Sequence, residues 1–354
     1  MASASFLTSA QAQVDRTIQR NLKGLGYFAS AAPVVGASAK DTIVARGPMR
    51  LYHYHPLVDE VYRVPVLLVM ATTNRGYIFD MIPGQSLVEF LLLRGYDVFM
   101  LDWEAPRPED RALGLRDYVE EFLGGAIVEV QRATGERDVS LVGYCMGGVL
   151  SVIWSGLNHT SGPKNLAVFT TPVDFKQMTM FQAWSDPRYF DVDRLVDTLG
   201  LAPAEMLSAA FDMLRPAGRA GAGFRLLDNL WDDEFVKGHR MFDRWSNDML
   251  PLAGEYFRET TKLLSWDNRL VEGTLRIGGR LVELDQVDCP FLHVTAEHDH
   301  IVTTASSAPL IEKIGSSDKE QIVLKGGHVS LIAGPNAVKR MWPRLDHWLG
   351  GRST

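Results

Sequence analysis

The sequence predicts an α/β protein, a mostly parallel sheet flanked by helices, with a mainly helical cap inserted between two late strands. Two observations carry that expectation. Short apolar runs rich in β-branched residues alternate with helical patterns, and one long interval then interrupts the alternation. Strands buried on both faces read as continuous apolar runs, and alternating strands and helices imply parallel pairing through right-handed crossovers.

In chain order, the strand runs are 64–70, 97–102, 139–143, 166–170, 291–296 and 321–324, each ending in a turn signal. Helical stretches occupy 86–93, 115–132 and 149–157. Between 175 and 268 no buried strand is evident, but amphipathic patterns appear at 192–199, 204–214 and 252–264. That interval also holds Trp184, Trp231, Trp245 and Trp266, four of the eight tryptophans, and is read as a cap. Long insertions on a rigid scaffold tend to carry function; a second helical domain without a role in the site is the alternative. The Gly-rich stretch 217–224 is expected to be a mobile connection inside the cap. The division is therefore an N-terminal segment 1–40, a core of 41–174 and 269–354, and a cap of 175–268.

Composition narrows the class of function. The chain of 354 residues is 46% hydrophobic and 22% charged, which suits a globular fold and not a disordered one. The net charge of −7 argues against nucleic acid as the main partner. No apolar run approaches the roughly 20 residues of a membrane-spanning helix. Residues 1–20 lack the apolar centre of a secretory signal, and two cysteines make no disulfide framework, so a cytoplasmic protein is expected. No His, Cys, Asp and Glu cluster has metal-ligand spacing, and no cofactor is expected.

The most informative segment is Gly143-Tyr144-Cys145-Met146-Gly147-Gly148, where a strand runs into the apolar start of a helix. It is the G-x-S-x-G nucleophile elbow with Cys in place of Ser. Glycines two residues either side of the nucleophile let strand and helix approach closely at a strained turn. The helix N-terminus favours the thiolate, and the backbone N–H of Met146 is placed to donate to an oxyanion. A buried cysteine in a dinucleotide-type turn is the bland alternative, but the G-x-G-x-x-G spacing is absent. Cys289, next to Pro290, reads as a small buried filler.

An elbow nucleophile of this kind is followed in the chain by an acid and then a histidine. Asp299 stands in a loop just after the strand 291–296, and His328 in a Gly-opened loop after the strand 321–324. Such loops at strand C-termini are where α/β sites are built. His300 and His298 flank the acid and are expected to line the site. The second oxyanion donor is expected from the loop after the strand 64–70, at a backbone N–H of Asn74 or Arg75. Cysteine, unlike serine, keeps a bound acyl group as a thioester close in energy to an acyl-CoA. A Cys–His–Asp site shielded from water therefore suits acyl transfer from a thiol to a hydroxyl.

The chain resembles the catalytic subunit of polyhydroxyalkanoate synthases from about Asp41 to Trp348. The shared stretches are Asn74-Arg75-Gly76-Tyr77, Leu101-Asp102-Trp103, the elbow, Thr171-Pro172-Val173-Asp174-Phe175, Trp245-Ser246-Asn247-Asp248 with Leu250-Pro251, Ile277-Gly278-Gly279, Glu297 to Val302, and Gly327-His328. The resemblance implies an α/β-hydrolase fold and a covalent thioester on Cys145. It implies His328 as general base, with Asp299 orienting it or helping to activate the attacking hydroxyl. It further implies (R)-3-hydroxyacyl-CoA as substrate, with 3-hydroxybutyryl-CoA the expected example, a growing polyester chain, and a place at the granule surface. The short N-terminus resembles the two-subunit classes, which implies a second, non-catalytic subunit beside a homodimer. Met146 and Tyr144 are not the residues of that class, and the segment 245–251 looks more like the longer single-subunit enzymes. The competing reading is a Cys-dependent hydrolase similar to dienelactone hydrolase, or a thioesterase or esterase; a non-catalytic granule scaffold is the third.

Overall fold

The computed structural model describes residues 11, 13–23, 27, 34–216 and 218–354. Half of the N-terminal segment, including residues 1–10 and 12 of the stretch that bears on a secretory signal, lies outside the described residues, as does Ala217.

Eight strands form one sheet: β1 (Lys40–Arg46), β2 (Met49–Tyr54), β3 (Val66–Val69), β4 (Val98–Trp103), β5 (Ser140–Tyr144), β6 (Asn165–Phe169), then β11 (Phe291–Ala296) and β12 (Lys319–Leu324), after the short pairs β7 (Leu201–Ala202) with β8 (Leu252–Ala253) and β9 (Arg276–Ile277) with β10 (Arg280–Leu281). The order across the sheet is β1-β2-β4-β3-β5-β6-β11-β12. All pairings from β4 to β12 are parallel, as the apolar runs predict. The hairpin β1–β2 and its pairing to β4 are antiparallel. The search for continuous apolar runs passes over this hairpin for a physical reason: β1 is mostly exposed along its length, so its sequence mixes charged and apolar residues.

The helices α1 (Leu87–Leu93), α2 (Gly125–Thr134) and α3 (Met146–Leu157) alternate with the core strands. The expected long helix 115–132 is realised as a π-helical stretch, Asp117–Gly124, running into α2. α3 is the most buried helix of the site, with every residue from Gly147 to Leu157 buried.

Between β6 and β11 the chain is mainly helical: α4 (Thr179–Trp184), α5 (Val192–Leu199), α6 (Ala204–Met213), α7 (Gly218–Asp228), α8 (Asp233–Asn247) and α9 (Gly254–Glu259). Two details differ from expectation. The Gly-rich stretch 217–224 is not an irregular connection, because residues from Gly218 onward belong to α7. Glycine disfavours helix by about 1 kcal/mol per residue, but the intervening Ala and Arg side chains are good helix formers and α7 packs against α8, so context prevails. The pattern 252–264 begins as the strand β8 and only then turns into α9, continuing as the π-helical Thr260–Trp266. After the sheet resumes, α10 (Thr304–Ser307), α11 (Pro309–Lys313) and α12 (Trp342–Gly350) complete the chain. Among the described residues no helix is long and apolar enough to cross a membrane.

One core residue carries a stability prediction. His293 lies in β11, fully buried, with neither ring nitrogen hydrogen-bonded. Burial pushes its pKa down to about 4, against roughly 6.5 in an unfolded chain. The unfolded state therefore binds the proton more readily, and stability present above pH 6.5 is lost as the pH falls towards 4. The gap corresponds to about 3 kcal/mol. Urea unfolding of His293→Leu at pH 7.5 and pH 5 should show a smaller acid loss than the parent; equal losses would assign the acid sensitivity elsewhere.

Candidate active site

The elbow is built by close packing. Cys145 follows the fully buried β5 and holds φ 52° and ψ −119°, a region side chains rarely adopt, while its N–H donates to the Phe169 carbonyl at 2.9 Å. The flanking glycines have no room for a side chain. A Cβ on Gly143 would lie 2.6 Å from the Gly148 Cα, one on Gly147 2.2 Å from the Val69 carbonyl oxygen, and one on Gly148 1.9 Å from Thr171 Oγ1. Gly147→Ala is accordingly expected to destabilise the fold by about 2–4 kcal/mol, because backbone rather than a flexible side chain must give way. Thermal unfolding measures it; a change under about 1 kcal/mol would mean the strand and helix separate freely.

The acid and the histidine reach the same place from the far side of the sheet. Asp299 follows β11 and His328 follows β12, so both stand at the strand ends where β5 delivers Cys145. The two loops are tied together: the N–H of Glu297 donates to the Leu324 carbonyl and that of His298 to the Gly326 carbonyl, both at 2.9 Å. Gly326 has φ 151° and sits so close to Ser330 that a Cβ would lie 2.2 Å from its Oγ. This crossing of loops points His328 at Asp299, with Nδ1 2.7 Å from Oδ2. The other carboxylate oxygen accepts the N–H groups of Ile301 and Val302, each at 2.9 Å. The carboxylate is thus fixed in orientation, and the Nδ1–H tautomer leaves Nε2 for the sulfur.

His328 is buried, hydrogen-bonded to Asp299 and within electrostatic reach of Cys145. Burial alone disfavours its charged form, but the charges of Cys145 and Asp299 and the hydrogen bond to Asp299 outweigh it and raise the pKa. An imidazole that keeps its proton beside a sulfur stabilises a thiolate, the reactive form.

The remaining expected residues are placed as follows. Met146 is the first residue of α3, and its N–H is among those a helix leaves without an intrahelical partner. His300 lies on the exposed rim of the Asp299 loop, and burial followed by the charge of Arg215 from the inserted segment lowers its pKa. Asn74 and Arg75 face the inserted segment: Asn74 bridges Met249, and the Arg75 carbonyl accepts from Trp245 Nε1 at 2.8 Å. The chain that lies against the elbow is slightly earlier, at Val69 and Met70.

Several residues around the site escape sequence reasoning in their roles. Trp103 Nε1 donates to the Met70 carbonyl at 2.8 Å, and Asp102 Oδ1 accepts the Gly76 N–H at 2.6 Å. Burial pushes the Asp102 carboxyl up to about 6. Gly76 has no space for a Cβ, which would lie 2.5 Å from the Met100 sulfur. The shared stretches 74–77 and 101–103 thus lock together and hold the loop after β3. The stretch 245–250 closes on the same loop, with Tyr77 donating to Asp248 at 3.2 Å and the Leu250 N–H to the Thr73 carbonyl at 2.8 Å. Tyr144 and Tyr256 are buried phenols within the electrostatic reach of Cys145. Tyr256 sits in an amphipathic pattern that reads as packing, so no sequence signal marks it. Among the described residues no group of three His, Cys, Asp or Glu could hold a metal ion.

Comparison with known proteins agrees with this architecture. The family described as alpha/beta hydrolase fold matches residues 65–335, and that described as the N-terminus of poly-beta-hydroxybutyrate polymerase (PhaC) matches residues 33–91. The poly(3-hydroxyalkanoate) polymerase subunit PhaC of Allochromatium vinosum is 33% identical over 90% of this chain and 90% of its own length. The Synechocystis subunit of the same name is 31% identical over 90% and 86%. That of Haloferax mediterranei is 29% identical over 90% of this chain, which spans 65% of the length of that relative. Among solved structures, a carboxylesterase from Nitrososphaera gargenis aligns over 88% of this chain and 98% of its own with TM-score 0.53 at 13% identity. A metagenome-derived lipolytic enzyme aligns over 90% and 100% with TM-score 0.52 at 15% identity. At such identities the structural likeness speaks for the fold alone.

Proposed function

The chain belongs to the poly(3-hydroxyalkanoate) polymerase family on an α/β-hydrolase fold, and from that premise we propose that it polymerises (R)-3-hydroxyacyl-CoA, with 3-hydroxybutyryl-CoA the expected substrate, through a Cys145–His328–Asp299 triad. The observation that carries this reading is the buried Asp299–His328 hydrogen bond set beside the elbow, with the His328 ring within electrostatic reach of Cys145.

The Cys145 thiolate attacks the thioester carbonyl of the substrate, forming a carbon–sulfur bond while the carbonyl electron pair moves onto oxygen. The Met146 N–H supports that charge. Collapse breaks the bond to CoA, whose thiolate leaves with the proton from His328. The 3-hydroxyl of a second acyl group then gives its proton to the neutral His328 ring and attacks the Cys145 thioester. An ester bond forms and the thiolate returns. Asp299 holds the ring in one tautomer throughout and stabilises its charged form.

The segment 175–268 acts as the cap that keeps water from the thioester, which separates a polymerase from an esterase on the same fold. His300 lies where an incoming chain passes the rim. A homodimer, a second non-catalytic subunit and a place in the cytoplasm at the polyester granule belong to the same proposal.

Purified protein incubated with 3-hydroxybutyryl-CoA tests it. A polymerase releases CoA while the solution turns turbid with polyester. Release of CoA and free 3-hydroxybutyrate without turbidity would replace the proposal with a hydrolase.

A further inference from the structure

Tyr256 is a fully buried tyrosine whose hydroxyl the triad does not use. It belongs to α9 of the inserted segment, its ring stacks on Tyr118 with centroids 4.1 Å apart, and its N–H donates to the Leu113 carbonyl at 2.9 Å. Ring and main chain are both fixed. Its hydroxyl lies 3.3 Å from Oγ1 of buried Thr72. Thr72 comes two residues after Met70, whose backbone borders Gly147 at the elbow. The phenol thus stands over the stretch of chain from which this fold draws its second oxyanion donor. Burial raises its pKa, a hydrogen bond from Thr72 opposes that, and the charge of Cys145 adds to the rise, so the group keeps its proton. Either hydroxyl can donate in that contact, and with Thr72 as the donor the phenol O–H is left to donate elsewhere.

We infer that the Tyr256 hydroxyl donates a hydrogen bond to the oxygen of the acyl group bound to Cys145, acting with the Met146 N–H. This rests on Cys145 being the nucleophile. The oxygen gains its charge when the carbonyl electron pair moves onto it as the carbon–sulfur bond forms, and loses it when the bond to CoA breaks. A pre-aimed donor acts on that charge and hardly on the neutral ground state. Because the donor comes from the inserted segment, the site is complete only with that segment seated on the loop after β3, through Trp245, Asp248 and Leu250.

The test compares the full chain with Tyr256→Phe in two reactions. One is the single-turnover burst of CoA from 3-hydroxybutyryl-CoA. The other is alkylation of Cys145 by iodoacetamide, a displacement at saturated carbon that forms no oxyanion. Tyr256→Phe should slow the burst roughly 10²-fold and leave alkylation unchanged. Thr72→Val, which keeps the Tyr256–Tyr118 stack, should slow the burst by a smaller factor and likewise spare alkylation. A burst at the parent rate in Tyr256→Phe overturns the inference. So does an equal loss in both reactions, which would mean a disturbed elbow. Absence of a burst in the parent chain overturns the polymerase reading together with this inference, whereas a normal parent burst that Tyr256→Phe preserves overturns this inference alone.

Discussion

With Cys145 replaced by alanine, release of CoA from 3-hydroxybutyryl-CoA is expected to fall to background, a loss of at least about 10⁴-fold. Alanine retains the Cβ at φ 52°, so the turn keeps its geometry and thermal stability should stay close to that of the parent. Cys145→Gly makes a sharper control, since removing the Cβ relieves the unfavourable backbone and should raise stability by about 1 kcal/mol while activity is equally lost. Stability and activity would then move in opposite directions at one position, the mark of strain held for function. Cys145→Ser should load far more slowly, because an alcohol depends wholly on the base for its proton. Near-parent CoA release from Cys145→Ala would remove this residue as the nucleophile and the mechanism with it.

Asp299→Asn is expected to reduce turnover by about 10³–10⁴-fold. The Asn side chain donates where the carboxylate accepted, which turns the ring so that Nε2 carries the proton and no longer accepts one. The same contacts predict a pH effect. The raised pKa of His328 comes, against the cost of burial, from the charge of Cys145, the charge of Asp299 and the hydrogen bond to Asp299. Acylation turns the thiolate into a neutral thioester and removes the Cys145 share of that support. The ring pKa must then fall, so the group that donated a proton to departing CoA becomes able to accept one from the next hydroxyl. Loading, which uses the protonated ring, should persist as the pH falls, whereas transfer, which needs the neutral ring, should fail first. Rapid quenching at pH 6 and pH 8 should find acyl-enzyme accumulating at the lower pH. Equal acyl-enzyme fractions at both would mean that the ring does not change its pKa between the two steps.

The sheet was legible where its strands are buried on both faces. The runs 64–70, 97–102, 139–143, 166–170 and 291–296 fall on strands buried on both faces in the parallel part of the sheet. The edge strand β12 is mostly exposed, and only its short apolar end, 322–324, showed. The hairpin β1–β2 was hidden because an edge strand with an exposed face carries no such block. Glycines misled at 217–224, where composition suggested a loop and packing made a helix. At the elbow the same residue type was informative, because its spacing matched a geometric need: Gly143, Gly147 and Gly148 each meet another part of the chain within bonding range of a side chain. Cys145, Asp299 and His328 could be proposed because each follows a recognisable strand. Tyr256, Trp245 and Asp102 could not, because their contacts join segments distant in sequence, and nothing local distinguishes a buried phenol close to a functional loop from one that fills a core.

The inserted segment is fastened at both its roots. Its start is tied to its end, with Gln182 donating to the carbonyls of Phe175 and Ser265, and Trp266 to the Ser185 carbonyl. Near its end, Trp245, Asp248 and Leu250 grip the loop beside the sulfur. A flap so pinned has no free edge to swing. Any opening of the segment must therefore come from its middle, with α6 and α7 sliding or bending between the anchored stretches.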